Sequence, residues 1–414
     1  MWKDTAGSES SSTTPAWEGL EELVRRKAQE FIQHILEEEV TELLGREKSE
    51  RREVVDGPVG YRNGYGKPRR LAMSSGTITL RRPRVRGLEE RFESRVLPLF
   101  ARRTKELGAL LPELYLHGLA EGDFELALRG LLGDGAPLSK ASIQRLRQIW
   151  TAEFEAWSKR SLEGREVVYM WADGIYVKAG LERDKAAVLV VIGALRDGTK
   201  EVLALRPGYR ESIESWSEVF RDLKARGVGA PQLLVADGNA AIWAAAGEIW
   251  PETREQRCWN HKTRNVLDRL PQREQAEAKD LLREVAYAPS RAEAMKARQA
   301  FSKRYKPWYP KAVDTLEDDW DRMVTFYDFP EAHWKHLRTT NVIESPFASV
   351  RLRTGAAKRY KKVESATAMI WKLLTVAEKR FRKLDAPHLL SDVYEGRKFV
   401  DGKPVHSQQR KVAA

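Results

Sequence analysis

The 414-residue sequence predicts an α/β core interrupted by an all-helical insertion, flanked by a helical N-terminal region and a basic helical C-terminal region. Three observations lead to this fold class. Three short apolar strands follow one another within residues 165–208, and an amphipathic helix and a fourth apolar strand complete the pattern by residue 239. Residues 262–335 then show only helical, charged patterns, as expected of an insertion.

Positive charge is concentrated in two segments of the chain. The formal net charge is +12, with 17 Lys/Arg against 7 Asp/Glu in residues 46–105 and 16 against 6 in residues 345–414. The rest of the chain is therefore net acidic. Two basic lobes favour a polyanion partner, the alternative being two solvated basic surfaces. An apolar content of 42% excludes global disorder.

Compartment and membrane signals point to the cytoplasm. Cys258 is the single cysteine, so no intramolecular disulfide can form, which fits a reducing environment. The N-terminus lacks the basic-then-apolar layout of a signal peptide, and no apolar run approaches the ~18 residues that a membrane span needs. We expect a cytoplasmic protein with no membrane partner.

The N-terminal part divides into three regions. Residues 1–16, rich in Ser and Thr, are expected to be a disordered tail, and 17–102 a helical and basic region for DNA binding or dimerisation. Its first helix, 17–44, carries an apolar stripe that packs either on its own core or on a second subunit. The stripe consists of Leu20, Leu23, Val24, Phe31, Ile35 and Leu43.

Aromatic and basic residues alternate in 60–87. Tyr61 and Tyr65 stand among Arg62, Arg69 and Arg70, in a segment rich in glycine and proline. Arginines bind phosphate and aromatic rings stack on bases, so this segment is a candidate DNA contact.

Residues 103–160 resemble a helix-turn-helix. A helix over 121–132 ends at "GDGAP", and a second begins near Ser139, a plausible N-cap. Any helical hairpin with a basic face would give the same pattern. The second helix is predicted to bury Ile143, Leu146 and Ile149 and to present Lys140, Gln144, Arg145 and Arg147 to DNA.

The predicted core has two parts, 161–261 and 336–384, separated by the helical insertion 262–335 and followed by a basic C-terminal tail, 385–414. Three strands in meander order, then a helix and a fourth strand, are the opening of an RNase H-like fold. Three insertion tryptophans either pack their own domain, which the sequence favours, or stack on a distorted base. They are Trp308, Trp320 and Trp334.

Asp173 and Asp237 each follow an apolar strand and precede a glycine. Either could simply cap its own turn. In the predicted fold, however, the two strands are neighbours, which brings both carboxylates to one sheet edge. Crowded carboxylates repel each other, and Mg²⁺ relieves that repulsion because it prefers carboxylate oxygens. Two such ions about 4 Å apart can activate a nucleophile and stabilise a leaving oxygen.

Glu344, in "HLRTTNVIES", is the candidate third carboxylate. The alternative is a helix-start charge favoured by the backbone dipole. Its neighbours favour a site, because hydrogen-bond donors around a metal can hold phosphates. These neighbours include the DNA-contact candidates Arg338, Asn341, Arg351 and Arg353, together with His336, Thr339 and Thr340.

Cys258 and His261 have the spacing of half a zinc site. No second such pair is present, so a closed zinc site is disfavoured. We expect both residues to lie near Asp237 and to support the active site, His261 by donating to a phosphate or positioning a ligand.

Over about residues 17–402 the chain resembles the Mutator-type bacterial insertion-sequence transposases, DDE recombinases with an RNase H-like core. The resemblance rests on "GYRNGY", "RCWNHKTRNVLDRLP", "VRLRT" and the segment from Tyr309 to Ser345. It implies that Asp173, Asp237 and Glu344 are the catalytic triad. The family's Cys-x-x-His motif corresponds to Cys258 and His261, whereas Val342 replaces the usual proline.

The resemblance also implies the reaction and the partners. It predicts a homodimer that binds terminal inverted repeats and target DNA, using two Mg²⁺ or Mn²⁺ ions per site for 3′-end cleavage and strand transfer. The protein would be bacterial, and associated with the nucleoid when acting. Two alternatives remain, a non-catalytic DNA-binding repressor and an RNase H-like structure-selective nuclease.

Overall fold

The structure is a computed structural model that describes residues 19–50, 60–98, 101–119, 127–129, 132, 140–179, 186–208, 211–356, 360 and 362–405. The predicted tail, 1–16, lies outside these ranges. Within them, no helix combines the length and apolar character that crossing a bilayer requires. The chain divides into two compact units, Met1–Leu146 and Arg147–Ala414, each considered separately below.

In the first unit a long helix packs on short strands. Helix α1 spans Leu20–Leu44. The strands are β1 (Tyr61–Tyr65), β2 (Arg69–Met73), β3 (Gly76–Leu80) and β4 (Pro83–Arg86). β1 pairs antiparallel with β4, and β2 with β3. Leu36 of α1 joins Ile78 and Leu80 of β3 in one apolar cluster.

The face that α1 buries differs from the predicted stripe. Leu36, Val40 and Leu44 are buried, whereas four of the predicted residues are 39–64% exposed. Two glutamines explain why α1 is rotated relative to the prediction. Their side chains form hydrogen bonds with the backbone of β3 and of Arg81, which follows it. Gln29 accepts from the Thr79 amide (3.1 Å), and Gln33 accepts from the Arg81 amide (2.9 Å). The exposed residues of the predicted stripe are Leu20, Val24, Phe31 and Leu43.

Two further helices are described in 101–158, α2 (Lys105–Leu116) and α3 (Lys140–Ser158). The second helix of the predicted helix-turn-helix is therefore present. Of the first, 121–132, only 127–129 and 132 lie within the described residues, and they are helical. The side chains of residues 140–143 lie outside them.

One burial prediction for α3 is wrong. Ile149 is 54% exposed, whereas the next residue, Trp150, is 3% exposed. Aromatic packing sets this register, because Phe154 and Trp157 both contact Trp371, with ring centroids 5.9 and 6.0 Å apart. Positions 150, 154 and 157 share one helix face, and this turns residue 149 outward.

The second unit is built on a five-stranded mixed sheet. Its strands are β5 (Val167–Val177), β6 (Ala186–Leu195), β7 (Lys200–Gly208), β8 (Leu233–Ala236) and β9 (Arg254–Arg257). Their order is β7-β6-β5-β8-β9. The first three form the predicted antiparallel meander, and β5, β8 and β9 run parallel.

The sequence did not predict strand β9, "REQR". It is short and charged and shows no apolar alternation. It lies at the edge of the sheet, where it pairs only with β8. Polar contacts hold it instead. The fully buried Gln256 accepts from the Phe326 amide (2.9 Å) and donates to the Met323 carbonyl (3.2 Å).

Helices cover the sheet. α4 (Ile213–Ala225) and α5 (Ala240–Ile249) share an apolar cluster with Met170 and Ala172 of β5. Side chains alternate along a strand, so residues 169, 171 and 173 face the other way. On that side the Tyr169 hydroxyl bonds His333 Nδ1 (2.8 Å) and the Trp171 indole donates to the His336 carbonyl (3.1 Å).

Between β9 and residue 340 the chain is helical, as predicted for 262–335. Trp334 is buried and Trp320 stacks edge-on against Trp259, so both pack within the unit. Trp308 is 79% exposed. The α-helices are α6 (Trp259–Leu267), α7 (Gln272–Ala286), α8 (Arg291–Tyr305), α9 (Pro310–Glu317), α10 (Trp320–Met323) and α11 (Trp334–Leu337).

Two long helices and a small ordered segment complete the unit. α12 (Asn341–Ala356) contacts β5 and β6, and α13 (Val363–Glu378) contacts β7. Residues 385–405 belong to the segment predicted as a basic C-terminal tail, 385–414. They form α14 (Leu389–Tyr394) and a hairpin of β10 (Phe399–Val400) and β11 (Lys403–Pro404). Buried apolar side chains hold this segment in place, namely Leu390, Val393 and Phe399.

Candidate active site

The register of β5 and β8 brings two aspartates to the same level. The parallel pairing ends with Trp171 opposite Val235, and two residues further along each chain stand Asp173 and Asp237. Asp237 follows the last residue of β8, as predicted. Asp173 does not end its strand, because β5 continues antiparallel to β6 as far as Val177. Both aspartates therefore stand just beyond the end of the parallel pairing between β5 and β8.

Backbone amides accompany both aspartates. Asp173 accepts from the Gly174 amide and Asp237 from the Asn239 amide, each at 2.8 Å. Burial, together with the negative charges of Asp237, Glu211 and Glu344, raises the pKa of Asp173 to about 8. The Asp173 carboxyl thus lies in a site that strongly disfavours an isolated negative charge.

Glu211 is a fourth carboxylate that the sequence did not predict. Its Oε2 accepts from Asn239 Nδ2 (2.8 Å), and Asn239 in turn bonds Asp237. Its Oε1 lies so close to Gly174 that a Cβ added to residue 174 would clash with it. Burial raises the pKa of Glu211, and burial with the nearby Glu211 charge raises the pKa of Tyr176 to about 12.

No sequence signal distinguishes Glu211 from an ordinary helix-start acid. It stands immediately before Ser212, the N-cap of α4, where acidic residues are common. A glycine at position 174 is compatible with the close approach of another chain segment. Glycine after an aspartate, however, also marks ordinary turns.

Glu344 lies in the first turn of α12, as predicted. The Thr340 hydroxyl donates to it. Its Oε1 lies 3.5 Å from His261 Nδ1. His261 stands in the first turn of α6, with Cys258 as the N-cap residue. Two helix N-termini therefore face the Glu344 carboxylate, and their dipoles favour its negative charge.

Cys258 is fully buried beside these groups. Its Sγ lies 3.3 Å from the Thr340 amide and 3.2 Å from the Thr340 hydroxyl. The hydroxyl has one proton to donate, and the charged carboxylate of Glu344 is the stronger acceptor. Burial raises the pKa of the Cys258 thiol, which keeps it neutral.

The Cys258 amide donates to the carbonyl of Ala236, the residue before Asp237 (2.8 Å). Carboxylate oxygens of Glu344, Asp173 and Asp237 do not all lie within 4.8 Å of one another in this structure. Among the residues that the structure describes, one set of three or more His, Cys, Asp or Glu side chains has ligand atoms all within 4.8 Å of one another. That set is Cys258, His261 and Glu344.

The chemistry of the donors fits a hard divalent cation. Asp173, Asp237, Glu211 and Glu344 offer carboxylate oxygens, the ligands that Mg²⁺ and Mn²⁺ prefer. The raised pKa of Asp173 has the same implication, because a nearby cation would stabilise its ionised form. A neutral buried thiol, such as that of Cys258, is a poor ligand for such ions.

The predicted DNA-contact residues of the first unit differ in their exposure and in the protein groups that they already bind. Gln144 and Arg145 are exposed on α3, whereas the side chain of Lys140 lies outside the described residues. Arg62 forms an ion pair with Glu37 (2.8 Å), and Arg69 donates to the Pro98 carbonyl (3.3 Å). The first unit also contains Arg70, which is exposed.

In the second unit Arg351 and Asn341 are exposed, and Arg338 and Arg147 are partly buried. Arg353 is 2% exposed, which contradicts its prediction as a DNA contact. Helical periodicity explains this, because Arg353 extends the buried stripe formed by Ile343, Phe347 and Val350 on α12.

Comparisons with known proteins agree on one family. The family described as "Transposase, Mutator family" matches residues 3–383. The transposase for insertion sequence element IS6120 of Mycolicibacterium smegmatis is 44% identical over 72% of this chain and 92% of its own length. That for IST2 of Acidithiobacillus ferrooxidans is 42% identical over 68% and 95%. That for ISRM5 of Rhizobium meliloti is 30% identical over 92% and 94%.

Proposed function

The chain belongs to the Mutator family of insertion-sequence transposases, and we propose that it cleaves and joins DNA with a DDE site formed by Asp173, Asp237 and Glu344. One observation carries the proposal. The parallel pairing of β5 and β8 ends with Trp171 opposite Val235, and Asp173 and Asp237 each stand two residues further along the chain. The strand order β7-β6-β5-β8-β9 supports an RNase H-like core into which the helices from α6 to α11 are inserted.

The acidic residues would hold two divalent ions, Mg²⁺ or Mn²⁺. When bound, such ions activate a nucleophile and stabilise the leaving oxygen of a phosphodiester. Asp173 on β5, Asp237 directly after β8 and Glu344 at the start of α12 would provide the carboxylate ligands. His261 and Thr340 position Glu344, since both contact its Oε1. Glu211 orients Asp237 through Asn239.

The proposed reaction exchanges one phosphodiester for another in two steps. In the first, a water oxygen attacks phosphorus at the element end, the bond to the 3′-oxygen breaks, and that oxygen takes up a proton. In the second, the freed 3′-hydroxyl oxygen attacks a target phosphorus and loses its proton, and the target's 3′-oxygen is displaced and takes up a proton. Nothing is oxidised or reduced, and no side chain forms a covalent bond to DNA.

The proposed partner is double-stranded DNA, both the terminal inverted repeats and the target. The two basic segments support it, together with the exposed Gln144 and Arg145 of α3 and Arg351 of α12. A homodimer is also proposed. Phe31 is 64% and Val24 45% exposed on α1, and a second subunit could cover these side chains.

The test compares Asp173→Asn with Asp314→Asn, a control at an exposed position on α9. We expect Asp173→Asn to abolish Mg²⁺-dependent cleavage of inverted-repeat DNA and to leave binding of that DNA intact. The control should cleave normally. Unchanged cleavage by Asp173→Asn would refute the proposed site.

A second readout separates the alternatives. A labelled element end with a free 3′-hydroxyl is incubated with a plasmid, and joined product is measured. A transposase makes this product, whereas a structure-selective nuclease cleaves without joining. A repressor binds the repeats and produces neither cleaved nor joined DNA.

A further inference from the structure

A groove opens next to Glu344 in the second unit. It has a volume of about 740 Å³, and it lies between α6, α7 and the residues that lead into α12. Trp259, Leu282 and Ala286 give it an apolar base, and all three are buried. The size is that of a small-ligand site, which holds a nucleotide or two but not a double helix.

Four cationic side chains line this groove, Arg264, Lys279, Arg283 and Arg338, with Asp268, Asp280 and Glu344 as the acidic residues. None of the four cations lies within 4.0 Å of an acidic oxygen of any residue that the structure describes. Elsewhere in the same helical region arginines have acidic partners. Arg291 pairs with Asp328, Arg304 with Glu277 and Arg322 with Glu255.

Arg338 is the most informative of these cations because it is partly buried. Its guanidinium carbon lies 4.7 Å from the ring centre of Tyr287, 4.9 Å from that of Phe326 and 5.5 Å from that of Trp334. Its buried Nε has no hydrogen-bond partner. Aromatic rings hold the guanidinium in place, and its donors are left for an anion that enters the groove.

Tyr287 provides a stacking surface at the same place. It lines the groove at the end of α7, and 61% of its surface is exposed. A large aromatic ring exposed beside several cations is the combination that binds single-stranded nucleic acid, in which bases stack on rings and phosphates meet arginines.

We propose that this groove binds one unpaired nucleotide next to the phosphodiester that is cut, with its base stacked on Tyr287 and its phosphate held by Arg338 and Arg283. The inference rests on the proposed function, because it assumes that the reacting phosphate lies at Glu344. A duplex end would have to splay apart to enter. The groove therefore selects DNA whose strands separate easily near the cleavage site.

The test measures binding without chemistry. The full chain and its Tyr287→Ala, Tyr287→Phe and Trp308→Ala variants are titrated, in EDTA, into a short single-stranded oligothymidylate that carries one 2-aminopurine. Stacking quenches 2-aminopurine fluorescence. We expect Tyr287→Ala to weaken binding about 5- to 150-fold and to lose the quench, because stacking on an aromatic ring contributes about 1–3 kcal/mol per base.

Two variants are matched controls. Tyr287→Phe keeps the ring and should bind as the parent does. Trp308→Ala removes an exposed aromatic ring outside the groove and should have no effect. Binding of a blunt duplex should be the same for all four proteins. Circular dichroism shows whether Tyr287→Ala is folded, and an exposed side chain is not expected to be needed for folding.

The proposal is overturned if Tyr287→Ala binds and quenches the single strand as the parent does, or if Trp308→Ala is equally damaging. Failure of the proposed function would appear elsewhere. If the parent protein binds as expected but cleaves no DNA when Mg²⁺ is supplied, the groove is supported as a nucleotide site and the DDE mechanism is refuted.

Discussion

The acidic cluster should destabilise the folded protein in the absence of metal. Replacing Asp173 by Asn removes the charge but keeps the shape of the side chain. The pKa of Asp173 rises from 3.8 to about 8, first because of burial and then because of Asp237, Glu211 and Glu344. At 1.36 kcal/mol per pKa unit, the ceiling on the gain from Asp173→Asn is about 6 kcal/mol.

The direction with pH follows from proton binding. Below pH 3.8 the carboxyl is protonated in both the folded and the unfolded chain, so it contributes nothing. Between that pH and about 8 the folded chain binds more protons than the unfolded chain, and the stability of the parent therefore falls as pH rises. Above about pH 8 the penalty is fully present. The advantage of Asp173→Asn should grow over the same window.

Urea unfolding in EDTA at pH 5 and pH 8 measures this effect, with Asp314→Asn as the control. We expect Asp173→Asn to exceed the parent in free energy of unfolding, and to do so by more at pH 8. The control should follow the parent at both pH values. Equal stability of Asp173→Asn and the parent at pH 8 would refute the argument that this carboxylate is electrostatically strained.

Three further predictions concern other parts of the molecule. Gly174→Ala should impair Mg²⁺-dependent cleavage with little change in thermal stability, because the new Cβ displaces the flexible end of Glu211; normal cleavage would contradict this. Trp150→Ala should cost about 3–5 kcal/mol in urea unfolding and Ile149→Ala about 0.5 kcal/mol or less, since the first is buried and the second exposed. DNA binding should weaken steeply with salt, with a log–log slope of roughly −0.9 for each phosphate neutralised, and a flat response would show that the basic segments do not contact DNA.

Much of the second unit could be predicted from local pattern. Each of the strands β5 to β8 contains an apolar run of buried residues, and such runs are recognisable in the sequence. The two aspartates are recognisable because Asp173 interrupts one such run and Asp237 directly follows another. Glu344 could be placed in a first helical turn because a polar, helix-initiating segment precedes it.

What the sequence did not reveal depends on tertiary contacts. β9 is a strand because the edge of β8 pairs with it, not because of its own apolar pattern. The rotation of α1 depends on Gln29 and Gln33 bonding the backbone near β3. Glu211 joins the site only because its side chain lies against Gly174 in the folded chain.

Arg353 shows the same limit for a single side chain. In the sequence it stands among arginines and looks exposed, yet α12 packs on the sheet with that face inward. A charged residue can continue a buried stripe when other groups satisfy it, and residue type alone gives no indication of this.

The central claim is that Asp173, Asp237 and Glu344 hold divalent ions together, and Mn²⁺ binding tests it most directly. Titration calorimetry on the full chain, supported by electron paramagnetic resonance, would compare the parent with Asp173→Asn, Asp237→Asn, Glu344→Gln and the Asp314→Asn control. We predict two ions bound per chain by the parent and the control, and weakened or lost binding in each of the other three variants. Mn²⁺ binding that is the same in all five proteins would contradict the claim.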